Sequence, residues 1–84
     1  MAKKRVSGRQ IAAARTLIGM SQPELAGRAN ISVPTLKRME ATDGAAAGMT
    51  NNVAAVRAAL EEAGVIFVEE NGEGPGVRLK KDPK

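Results

Sequence analysis

The chain has 84 residues, room for one domain at most. It contains neither Cys nor His, so disulfides and thiol chemistry are excluded, as is nucleophilic catalysis of the Ser-His or Cys-His kind. Carboxylates alone are poor zinc ligands, and no metal or cofactor is expected. The net charge of +4 is unevenly spread: residues 1–42 carry eight basic and two acidic groups, residues 43–84 five basic and seven acidic. A local positive field in the first half favours phosphate backbones. No run of about 18 apolar residues occurs, and no apolar stretch follows the basic N-terminus. A cytoplasmic protein without a membrane part is therefore expected, and not an enzyme, because no tuned acid or base is available.

Residues 1–6 read as a basic flexible arm. Ser7 and Gln10 then fit a capping box, with Ser at the N-cap and Gln three residues on. The first helix should run to about Ile18, with Ile11, Ala14, Leu17 and Ile18 on one face, and stop at Gly19 in the left-handed region. Ser21 and Glu24 form a second capping box around Pro23, which suits a first turn because its missing N–H has no partner there anyway. The second helix spans about Gln22 to Ala29, burying Leu25, Ala26 and Ala29. Asn30 takes the turn, since Asn tolerates positive φ. Ser32 caps a third helix with Pro34 in its first turn, Leu36 and Met39 facing inward and an end near Ala41. A small-residue loop follows from Asp43 through Gly48.

Thr50 or Asn51 should cap a fourth helix that ends at about Ala63, before Gly64. Val53, Val56, Leu60 and Ala63 form its main stripe, while Ala54, Ala55, Ala58 and Ala59 make it apolar on more than one face. Val65 to Val68 is β-branched and aromatic, hence a strand, and Val77 to Lys80 alternates as a second one. Between them, Glu69 to Gly76 is rich in Gly. No GK[ST] and no helix follow its Gly72–Gly76 stretch, so it reads as a hairpin loop and not a phosphate loop. The tail from Lys81 to Lys84 is polar.

Two short helices joined by a tight turn are what a helix-turn-helix requires: the first crosses the DNA backbone, the second enters the major groove. Ala26 is small where the helices would touch, and Ile31 is apolar where the turn must be plugged. Periodicity alone leaves an ordinary helical hairpin equally open. The stretch from Ile11 to Glu40, IAAARTLIGMSQPELAGRANISVPTLKRME, says more. Through Arg15, the GMSQPELA run, the Asn30-Ile31-Ser32 turn and the ending LKRME, it resembles the Cro/C1-type (XRE) helix-turn-helix family of bacterial and phage transcriptional regulators. Asn30 stands where that family usually has Gly.

The resemblance implies a mainly α, lambda-repressor-like fold: a four- to five-helix bundle with a helix-turn-helix. Here a short C-terminal β-hairpin follows the fourth helix, where the family often adds a fifth. Residues 7–63 would form the DNA-binding domain and residues 64–84 the strands and tail. The recognition helix would span about residues 33–41. It would offer Ser32, Val33, Pro34, Thr35, Lys37 and Arg38 to base edges, with Arg38 the best placed for bidentate guanine readout and Val33 and Pro34 limited to thymine methyls. Gln22 resembles the family's phosphate-clamping glutamine, and Thr50, Asn51 and Asn52 match a second phosphate-contact region. Arg15 and Glu40 resemble the family's partly buried ion pair, a structural feature.

The expected function is that of a sequence-specific repressor or activator that binds double-stranded palindromic operator DNA as a homodimer. The alternative is an antitoxin or anti-activator type of interaction module that grips a partner protein through its C-terminal half. RNA is a poor fit, since Phe67 is the only aromatic available for stacking. Dimerisation is expected through Val65, Ile66, Phe67, Val68, Val77 and Leu79, because an isolated two-stranded sheet is marginal in water and leaves open edges. The other possibility is that the hairpin folds back on its own fourth helix.

Overall fold

The computed structural model describes residues 6–42, 50–69 and 72–80. The expected arm through Arg5, the Asp43–Gly48 loop and the tail from Lys81 lie outside the described residues. The order is α1 (Gly8–Leu17), α2 (Gln22–Ala29), α3 (Val33–Glu40), α4 (Thr50–Glu62), β1 (Val65–Val68) and β2 (Gly76–Leu79). The architecture is mainly helical with one small antiparallel hairpin.

The first three helices use the same start. Ser7, Ser21 and Ser32 are all N-caps in extended conformation, and each side-chain oxygen accepts from the backbone N–H three residues on. Such a cap is worth roughly 1 kcal/mol against Ala. Each Ser is preceded by an apolar residue and followed four positions later by another: Val6 with Ile11, Met20 with Leu25, Ile31 with Leu36. This is the spacing of the hydrophobic staple. Val6 is buried with Ile11, and Met20 with Leu25, while Ile31 is half-buried against the same core. Val6 therefore belongs to the core and not to the basic arm. At α2 only half of the expected capping box forms, because the Glu24 carboxylate accepts from Arg28 instead.

The two connections between these helices also match. Gly19 and Asn30 both have positive φ, 70° and 59°. The N–H of Met20 reaches back to the Arg15 carbonyl and that of Ile31 to the Ala26 carbonyl. The Gly19 and Asn30 N–H groups bond the Thr16 and Gly27 carbonyls. Both are Schellman endings, and each feeds directly into the next Ser cap. Pro23 and Pro34 each follow in the first turn.

Ile11, Leu25, Leu36, Met39, Val56 and Leu60 are fully buried and form the centre of one core. Each such side chain contributes about 1.5–3 kcal/mol through burial. α2 packs chiefly on α4, and α1 on α3. The start of α1 lies so close to the end of α3 that a Cβ on Gly8 would collide with the Met39 carbonyl.

α4 already includes Thr50, so neither Thr50 nor Asn51 is its cap. Its stripe is centred on Val56, Ala59 and Leu60. Ala59, expected on the second face, is thus a core residue, while Ala54 and Ala58 are exposed.

The hairpin pairs Val65 with Leu79, Ile66 with Arg78, Phe67 with Val77 and Val68 with Gly76. The second strand starts one residue earlier than the alternation suggested. Val65 and Phe67 are buried in the chain's own core, and Val77 packs against it. Arg57 of α4 lies over the Phe67 ring, 5.3 Å from its centroid. The strands are therefore covered from within the chain, by α4 on β1 and by α1 on β2. Gln10 fastens this arrangement: its Nε2 donates to the carbonyls of Val68 (3.3 Å) and Gly76 (2.9 Å). Its Oε1 accepts from the Ser7 N–H at 2.9 Å, completing the capping box. No helix among the described residues is long and apolar enough to cross a membrane.

Candidate nucleic-acid interface

The α2–turn–α3 unit is held by a buried polar cluster. The Arg15 guanidinium meets Glu40 in a two-pronged contact, Nε to Oε2 at 2.8 Å and Nη2 to Oε1 at 3.1 Å. Its Nη1 donates to the Met20 carbonyl at 3.1 Å. Gln22 Nε2 donates to Glu40 Oε1 at 3.0 Å. One carboxylate thus joins α1, α2 and the end of α3, and Arg15 ties the α1–α2 connection to it. The Glu40 side chain is 7 % exposed and that of Arg15 20 %. The hydrogen bonding of Arg15 to Glu40 raises the Arg15 pKa, burial opposes it, and the attraction of the carboxylate adds to the rise. The guanidinium therefore stays charged across the physiological range. Removing one member of such a pair strands the other, which is why these pairs are costly to break.

With Leu36, Met39 and Glu40 seated inward, α3 turns Pro34, Lys37 and Arg38 to solvent, three or four residues apart and hence on one face. Ser32 is also exposed and Thr35 half-exposed. Val33, expected among the base-contacting residues, is half-buried and packs against the core. Lys37 and Arg38 form no ion pair among the described residues. Arg28 and Arg57, by contrast, pair with Glu24 and Glu61 on their own helices, at 3.2 and 3.0 Å. Ser32, Thr35 and Arg38 are linked in a short chain of hydrogen bonds.

Gln22 sits at the start of α2, as the phosphate-clamp expectation requires, but one of its two amide hydrogens is engaged by Glu40. The other hydrogen and its own backbone N–H are what it has left for an anion, since Pro23 has no N–H and that of Glu24 is bonded to Ser21. Asn51 is exposed and Asn52 half-buried in the first turn of α4, while the Thr50 side chain and the α4 cap lie outside the described residues. Of the six residues assigned to dimerisation, Val65 and Phe67 face the chain's own core, and Val68 and Val77 are half-buried. Ile66 and Leu79 remain 41 % and 52 % exposed.

Sequence reasoning missed the role of Gln10 beyond its cap. The capping box named the residue, but nothing local signals bonds to carbonyls 58 and 66 positions away. It also missed Val6 and Met20, both of which the staple spacing would have found. No family model and no curated protein matches the chain.

Proposed function

We propose that the chain is a sequence-specific DNA-binding transcriptional regulator of the Cro/C1-type helix-turn-helix kind, with α3 as its recognition helix. One observation carries the reading: α3 is anchored by Leu36, Met39 and Glu40 while its opposite face holds Lys37 and Arg38, exposed and without an ion pair among the described residues. A short helix with a seated inner face and a basic outer face fits the major groove, which is about 12 Å wide. The preceding Schellman turn and Ser cap join it to α2 as a helix-turn-helix requires. Gln22 and the start of α4 would touch phosphates, and the site of action would be the cytoplasm.

The test is selection of bound sequences from a random duplex pool, followed by affinity against salt. A shared sequence should emerge, and each phosphate contact should add about 0.9 to the slope of log K against log salt. No enrichment, or a flat salt dependence, would refute the reading.

A palindromic consensus is expected, because Ile66, 41 % exposed on the hairpin face turned away from the core, favours contact with a second copy of the chain. Two-fold pairing is the commonest way for a surface to meet itself. Truncation at residue 64 is the wrong probe of this, since it would strip Val65 and Phe67 from the core. Sedimentation of Ile66→Glu tests it instead: it should shift a dimer toward monomer with little change in melting temperature. A foreign protein on the same surface is the competing reading, and a full-length chain that sediments as a monomer at every concentration would favour it.

A further inference from the structure

The three Ser caps differ in what the residue three positions later does. Gln10 returns its side chain to the Ser7 backbone N–H, and Glu24 turns to Arg28. Thr35 does neither. The Ser32 hydroxyl accepts from the Thr35 N–H at 3.2 Å and donates its own proton to Thr35 Oγ1 at 2.8 Å. Arg38 Nη2 donates to the same Oγ1 at 3.4 Å. A hydroxyl oxygen has two acceptor positions and one proton. Both acceptor positions of Thr35 are taken, so its proton is the one function left to face outward.

From this geometry, and resting on the proposed DNA-binding function, we infer that Thr35 is a positioning residue for Arg38 and that together they commit the recognition helix to guanine. The Ser32–Thr35 bond fixes the Oγ1 lone pair that the guanidinium meets, which narrows the rotamers open to a long, exposed side chain. What α3 then offers outward is donors alone: the Thr35 O–H, the remaining N–H groups of Arg38 and the Lys37 ammonium. Ser32, at the edge of this face, keeps one acceptor position. In the major groove guanine presents two acceptors, N7 and O6, whereas adenine pairs one acceptor with a donor, cytosine presents a donor and thymine a single acceptor, O4, beside a methyl. A donor-only face is satisfied fully by guanine and by phosphate oxygens, and leaves a clash of donors at adenine N6 and cytosine N4. Because phosphates carry no sequence information, the readout that discriminates is the one at guanine.

The experiment is selection from a random duplex pool with the wild-type full chain, Arg38→Ala, Thr35→Val and Thr35→Ser, each checked for an unchanged thermal melt. Thr35→Val keeps the shape and the N–H bonded by Ser32 but removes the hydroxyl. The wild type should select guanine at the position that Arg38→Ala relaxes. Thr35→Val should lower that preference on the order of tenfold, a typical worth of one good bidentate base contact, with the loss confined to that position, and Thr35→Ser should restore it. A Thr35→Val protein that selects guanine as strongly as the wild type overturns the positioning role. A wild type that selects adenine, cytosine or thymine there overturns the commitment to guanine. A wild type that enriches no sequence refutes the proposed function itself, a result distinct from either.

Discussion

Arg15 and Arg38 both sit on short helices, and both donate to an oxygen anchored in α3. Arg15 makes three hydrogen bonds, two to a carboxylate that is 7 % exposed. Arg38 makes one, at 3.4 Å, to a neutral hydroxyl at the surface. The same side chain is a structural rivet in the first place and a held but open hand in the second. Burial and the charge of the partner decide between them. A desolvated pair is strong because the alternative is a stranded ion, whereas an exposed guanidinium that spends one N–H on a hydroxyl keeps its other N–H groups open to a better acceptor.

Arg15→Ala is the change expected to break this contrast most heavily. It leaves Glu40 buried with only Gln22 as a donor, and should cost about 3 kcal/mol of folding stability, a fall of more than roughly 10 °C in melting temperature for a chain of this size. Urea titration and a thermal melt check it, and DNA affinity per folded molecule should be unchanged. The raised Arg15 pKa fixes the pH behaviour. A group with a raised folded-state pKa contributes fully below its unfolded value and loses that contribution only as pH rises through the folded one. The Arg15 share of stability should therefore be flat from neutral pH to well into the alkaline range.

Arg38→Ala should do the reverse, costing on the order of 1–3 kcal/mol in binding to the selected DNA site while stability stays within about 0.5 kcal/mol. If it instead destabilises the fold as Arg15→Ala does, the distinction between the two arginines fails. Gln10→Ala tests a third polar hub, neutral and buried, and should cost about 1–2 kcal/mol through the lost cap return and the uncovered Val68 and Gly76 carbonyls. Smallest is Arg28→Ala, which removes an exposed pair with Glu24 one turn away and should cost about 0.5 kcal/mol or less by the same denaturation.

What was legible in the sequence is what short-range chemistry encodes. Ser7, Ser21 and Ser32 as caps, Gly19 and Asn30 as left-handed stops and the two apolar strands all rest on neighbours within a few residues. Each is found in place. What stayed hidden is of another kind. Val33 stands at the start of a helix with a basic face, and nothing local shows that the rotation of α3 packs it partly against the core. Nor does Gln22 show its bond to Glu40, 18 residues on. The hairpin read as short of a partner because half of its cover, that of α1 on β2, comes from more than 60 positions away. No local pattern reports such pairings, and only the fold brings them together.

The Gln10 clamp also has a consequence in time. The links from α1 to α2 and from α2 to α3 close over a few residues, so they need little search. The bonds from Gln10 to Val68 and Gly76 span 58 and 66 residues, and most of the chain's length lies in the loop they close. Loop-closure entropy and high contact order place this step late in folding. The hairpin should then dock on a helical unit already assembled, and Gln10→Ala should chiefly speed unfolding while leaving the folding rate nearly untouched. In a stopped-flow chevron that is a shift of the unfolding arm alone. The residue that completes the first helix cap would thus be the latch that closes last and opens first.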